Sequence, residues 1–102
     1  MISWFEPLGE SAPAVLPLSK NLTSTEVNQK VASMMTQYVQ TLGTPEADRS
    51  LCLDVRAYLT YSGLMLPEEP DITLEHRKEG KTILSFVIIP LVVMERIDKL
   101  PA

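Results

Sequence analysis

The chain has 102 residues, 45% hydrophobic and 22% charged, the size and balance of one ordinary globular domain rather than of a disordered chain. A net charge of -4 and a pI near 4.9 speak against a free nucleic-acid binder, which needs a basic face, and against electrostatic docking on an anionic membrane. The single cysteine, Cys52, excludes an internal disulfide and fits a reducing cytoplasm, or a virus or phage particle assembled there.

Residues 1–22 read as an extended, proline-containing arm. Pro7, Pro13 and Pro17 forbid a continuous helix and push the residue before each toward extended backbone. Trp4, Phe5, Leu8, Val15, Leu16 and Leu18 are too many large apolar groups for a solvated tail, so the arm is expected to lie on a surface. The first residues carry neither a basic stretch nor a continuous apolar run, so no signal peptide is expected.

Residues 23–102 read as a single α+β domain. Thr23-Ser24-Thr25-Glu26 is a capping box, and Val27, Val31, Met34, Met35, Tyr38, Val39 and Leu42 recur at spacings of three and four. This predicts a helix over 23–43 that stops at Gly43. Thr44, with Pro45 behind it and Glu46 and Asp48 in the first turn, starts a second helix. Its buried face is Ala47, Leu51, Val55, Tyr58 and Leu59, with Cys52 alongside and Gly63 as the stop. The short link makes the two helices an αα-hairpin.

After a loop containing Pro67, Glu68, Glu69 and Pro70 comes an antiparallel β-hairpin. A three-residue loop, Lys78-Glu79-Gly80, sets Leu74 against Leu84 and Ile72 against Phe86, which gathers the apolar residues on one face. The second strand then runs on through Ile88, Ile89, Leu91, Val92, Val93 and Met94 to Ile97, apolar on both faces and beyond the reach of its partner. Pro90 asks for an edge or a bulge there. So long an apolar edge aggregates unless it is covered, and the expected cover is the arm or another subunit.

The residues that carry chemistry are few. His76 and Cys52 are one of each kind, too few for a metal site, and no metal or other cofactor is expected. Burial and Asp54 raise the Cys52 thiol pKa rather than activate it. Nothing around Ser62-Gly63 resembles a nucleophile elbow. Glu68, Glu69 and Asp71 are the least poor acid/base set, and a solvated acidic loop explains them. Arg77, Lys78 and Lys81 near the hairpin tip are interleaved with Glu75 and Glu79, which argues against phosphate contacts.

These features predict a non-enzymatic structural or assembly subunit of a multi-protein complex, such as a virus or phage particle. It acts through contacts with itself or other subunits, without a membrane span, nucleic acid or small-molecule substrate. The expected interface residues are Trp4, Phe5, Leu8, Val15, Leu16, Ile88, Ile89, Leu91, Val92, Val93 and Met94. The competing reading is a small acidic regulatory binder, an inhibitor, chaperone or adaptor, joined as a homodimer.

Overall fold

The computed structural model describes residues 22–102. Every expectation placed on the N-terminal arm, including Trp4, Phe5, Leu8, Val15 and Leu16, lies outside the described residues. The described chain is α+β: helices α1 (Ser24–Gln37) and α2 (Pro45–Tyr61), strands β1 (Thr73–Glu79) and β2 (Thr82–Ile88), and helix α3 (Leu91–Asp98).

Both helix starts obey the local rules. The Thr23 hydroxyl oxygen accepts from the Glu26 amide at 3.1 Å, and Thr44 accepts from the Ala47 amide at 3.3 Å with Pro45 behind it. Helix α2 closes as a Schellman motif. Gly63 takes φ +80°, the Leu64 amide donates to the Leu59 carbonyl at 2.8 Å, and the Gly63 amide donates to Thr60 at 3.1 Å.

Helix α1 is shorter than its apolar periodicity predicts. It ends at Gln37, and residues 38–43 form tight turns. Tyr38 leaves helical geometry at φ -107°, ψ 7°; its carbonyl accepts the Thr41 and Leu42 amides at 2.9 Å each, and the Thr41 and Thr44 hydroxyls add bonds to the Tyr38 and Thr41 carbonyls. The Tyr38 hydroxyl instead reaches across to α2 and donates to the Asp54 carboxylate at 2.6 Å. Asp54 is buried, so this is the bond that satisfies a carboxylate inside the αα-hairpin.

The core is helical. Val27 and Met34 of α1, Leu51, Val55, Tyr58 and Leu59 of α2, and Val93 and Ile97 of α3 meet there, joined by Leu64, Met65 and Ile72 from the connecting loop. No strand residue belongs to that buried set; Leu74 and Val87 only pack against it. Two long-range ion pairs clamp the loop. Arg96 of α3 binds Glu69 with both nitrogens at 2.6 Å and donates to the Leu64 carbonyl, while Arg56 of α2 binds Asp71 and the Pro67 carbonyl at 2.6 Å each. Glu69 and Asp71, the acid/base candidates, are thus structural partners of arginines. The Arg96 guanidinium and the Leu66 amide hold the Glu69 carboxyl below its usual range.

Two expectations need correction. The last strand does not run to Ile97. It ends at Ile88, and Pro90 caps a helix whose Val93 and Met94 amides both donate to the Pro90 carbonyl at 3.0 Å. Proline has no amide to lose at a helix start, and the i, i+4 pair Val93 and Ile97 points into the core. The hairpin register also differs. The strands pair Leu74 with Val87, His76 with Ser85 and Glu79 with Thr82, so the loop is Gly80-Lys81. Gly80, at φ +62°, takes the first loop position of a type II′ turn rather than the last position of a three-residue loop.

Two stability outcomes follow. Ile97→Ala is expected to cost about 2–5 kcal/mol, whereas Leu91→Ala, at 75% exposure, stays within about 0.5 kcal/mol by urea denaturation. A strand at 91–97 would not separate the two in this way. Tyr38→Phe leaves Asp54 short of its partner and is expected to cost about 1–3 kcal/mol. The Asp54 hydrogen bond, then burial and the carboxylate charge, push the Tyr38 hydroxyl up to about 12. A raised folded-state pKa means that this stabilisation is complete below pH 10 and is lost as pH climbs toward 12. A wild-type minus Tyr38→Phe stability difference that stays flat across that alkaline window would contradict the assignment.

Candidate functional site

The hairpin is a two-stranded sheet, so both of its edges are free of further strands among the described residues. The closing pair Glu79 and Thr82 fixes what each residue presents. In a two-residue hairpin that pair exchanges both backbone hydrogen bonds, and the bonding then alternates along the ladder. Thr82, Leu84, Phe86 and Ile88 therefore bond to β1. Ile83, Ser85 and Val87 turn their amides and carbonyls to the open edge.

Side chains alternate with the same parity. Ser85 and Val87 face the helices and are half-buried. Leu84, Phe86 and Ile88 face outward, each roughly two-fifths exposed at 38%, 38% and 42%. The Arg77 guanidinium lies over the Phe86 ring, 4.9 Å from its centre, and is held by Glu75 at 2.6 Å.

The two edges differ in charge. Strand β1 carries Glu75, His76, Arg77, Lys78 and Glu79, whereas β2, Thr-Ile-Leu-Ser-Phe-Val-Ile, carries no charge, no glycine and no proline. Charges, prolines and bulges are the usual protection of an edge strand, and β2 lacks them. Beside this edge runs an apolar groove of about 310 Å³, walled by Val31, Ala32 and Met35 of α1, Ser85 and Val87 of β2, and Met94 of α3. An open strand edge next to a helix-walled apolar groove is the arrangement that accepts an added strand: the backbone pairs and alternate side chains drop into the groove.

Beneath the hairpin a hydrogen-bonded chain runs from α2 to β2. Asp48 Oδ2 lies 2.8 Å from His76 Nε2, and His76 Nδ1 lies 2.8 Å from Ser85 Oγ. Burial pushes the Asp48 carboxyl up, but the Gly43 amide and His76 outweigh it and leave it below its usual range. These are the residue types of a nucleophilic triad. Acyl transfer also needs N–H donors converging on one oxygen. The outward amides of β2, about 7 Å apart along the strand, do not by themselves supply such a pair. As an anchor, the chain ties the hairpin to the first turn of α2.

The expected interface residues are divided by the fold. Ile88 and Val92 are exposed, Leu91 strongly so, while Ile89 and Met94 pack partly on the core. Val93 is 0% exposed and belongs to the core. Ile83, Leu84 and Phe86 are further exposed apolar residues outside that expected set; the alternation in β2 carries that signal once the turn is placed correctly. Burial, then Asp48 and Asp71, raise the Cys52 thiol, as expected of an unactivated cysteine. Among the described residues, no three of His, Cys, Asp and Glu gather as metal ligands, and no helix is long and apolar enough to cross a membrane. Comparison of the chain with protein-family models, curated proteins and solved structures gives no match.

The anchor makes a measurable claim. Asp48→Ala and His76→Ala are each expected to cost about 0.5–1.5 kcal/mol, the ordinary value of a hydrogen-bonded pair about one-quarter exposed. The double variant should cost less than the sum of the two. Because the folded-state carboxyl is depressed, the Asp48 contribution is present above its ordinary pKa of 3.8 and fades as pH falls below it. Strict additivity in the thermodynamic cycle would remove the contact.

Proposed function

We propose that this protein is a non-enzymatic assembly subunit that binds other protein chains by strand addition at the open edge of β2. The observation that carries this reading is the edge itself: seven uncharged residues, with outward backbone groups at Ile83, Ser85 and Val87, alongside an apolar groove. An edge of this composition has the signature of aggregating segments. It is compatible with a well-behaved protein when something pairs with it.

The overlong apolar strand that first suggested association does not exist, yet apolar surface remains. It has moved to the outward face of β2 and to Leu91 and Val92 at the start of α3. The acidic binder is separated from the assembly subunit by stoichiometry. A repeated copy number in a native assembly marks a subunit, and a single copy on one partner marks a regulator.

A charge placed on the edge tests the site. Ile83 is 65% exposed and carries outward backbone groups, so Ile83→Lys leaves the core intact while forcing an ammonium into any added-strand contact. In native-source extract the untagged protein is expected to elute well above its 11.4 kDa mass. Ile83→Lys should shift it toward monomer, whereas Thr73→Lys on the charged β1 edge should not. Wild type eluting as a monomer, or both variants eluting as wild type does, would sink strand addition at β2.

A further inference from the structure

We infer that the strand added to β2 is β2 of a second copy of this chain, paired antiparallel about a twofold axis through Ser85. This inference rests on the reading of β2 as the docking edge and names its partner.

Parity allows few registers. A pair of opposed residues that exchange backbone hydrogen bonds must both carry outward groups, and on β2 only Ile83, Ser85 and Val87 do so. A twofold axis between two β2 strands can pass through one of these three, or through Leu84 or Phe86 as a non-bonded pair flanked by bonded ones. An axis at any residue other than Ser85 overlaps only part of the strand. An axis at Ser85 overlaps the whole of Thr82–Ile88.

Chemistry favours the same register. With Ser85 opposite Ser85, Ile83 meets Val87 of the second copy on the face toward the helices. On the outward face Leu84 meets Phe86 and Thr82 meets Ile88. Aromatic–aliphatic and β-branched pairs are favourable cross-strand neighbours. No charge faces a like charge, because β2 has none. The contact is isologous, so it closes at two copies instead of growing into a fibre. Self-pairing at β1 would instead bring its charged residues into contact.

The groove fits this occupant. Ile83, Ser85 and Val87 of the incoming strand descend over Val31, Ala32 and Met35 of α1, and the reverse contact forms in the other copy. A four-stranded sheet then covers both α1 helices, and the Leu84, Phe86 and Ile88 stripes join across the axis.

The test uses the full chain. Sedimentation equilibrium of the purified wild type is expected to give twice the 11.4 kDa chain mass, and Ile83→Lys should weaken the dimer at least about tenfold. In a Cys52→Ala background, Ser85→Cys should form an inter-chain disulfide readily, because opposed residues at such a pair have Cα atoms about 5.5 Å apart. Thr82→Cys and Ile88→Cys in the same background should not form homotypic disulfides, since neither sits on the axis. Amide exchange supplies a readout that does not depend on cysteine variants: Ile83, Ser85 and Val87 should exchange slowly in the dimer.

The failures separate. A monomer whose three amides are nonetheless slow, and become fast when residues 1–21 are deleted, overturns the second copy and gives the β2 edge to the chain's own N-terminal segment. A monomer with fast amides overturns the inference, and the elution test in native extract then decides the edge reading alone. A dimer that Ile83→Lys does not weaken and Ser85→Cys does not cross-link also overturns it.

Discussion

The turn at Gly80-Lys81 decides the surface chemistry of this domain. Side chains in a strand alternate with period two, so closing the ladder at Glu79 and Thr82 assigns every later residue of β2 to a face. Ser85 is sent inward to His76, and Leu84, Phe86 and Ile88 are sent outward. The same parity aims the backbone of Ile83, Ser85 and Val87 at the open edge. One residue more in the loop would bury the outward stripe and expose the serine. Gly80 makes the shorter closure inexpensive, because its φ of +62° costs glycine no Cβ clash.

A hairpin this exposed needs a foundation that does not depend on it. Two isolated strands are marginal in water. Here the buried cluster is assembled from three helices and a loop, with no strand residue fully inside. Helix α3 completes that cluster with Val93 and Ile97, and Arg96 secures it to the loop through Glu69 and the Leu64 carbonyl. The hairpin is then attached by polar contacts at one side, through Asp48, His76 and Ser85, and by Leu74 and Val87 packing on the core. This leaves β2 ordered but open, which is what strand addition requires: a preformed edge loses little conformational entropy on pairing.

Local rules in the sequence reach as far as local physics does. Thr23 and Thr44 are visible as caps because each satisfies amides within three residues of itself. The α2 face is visible because Leu51, Val55, Tyr58 and Leu59 keep helical spacing over a long stretch. The region from Ile83 to Ile97 is ambiguous for the opposite reason. A short run that is apolar at nearly every position satisfies strand and helix periods together, and only burial of Val93 and Ile97 against distant helices separates them. Pro90 was the local clue: a residue without an amide fits a helix start as well as a bulge. The Asp48–His76–Ser85 chain was illegible because its members lie on three elements that meet only through the tertiary fold, and the wrong register set His76 against Thr82 instead of Ser85.

The charge distribution bears on how such an edge can approach a second copy. A net charge of -4 opposes association between identical chains, and that repulsion is strongest where charges are brought close. Strand β2 is the element at which identical chains can approach with least of it, because its own seven residues are neutral and the charged residues of the hairpin sit across the sheet on β1. The pair spacing of strands places β1 of one copy three strand intervals, about 14 Å, from β1 of the other in the symmetric sheet. That exceeds the Debye length of roughly 8 Å at physiological ionic strength. The acidic surface elsewhere then discourages non-specific clustering. The neutral edge is the face along which two copies would meet without like charges opposed.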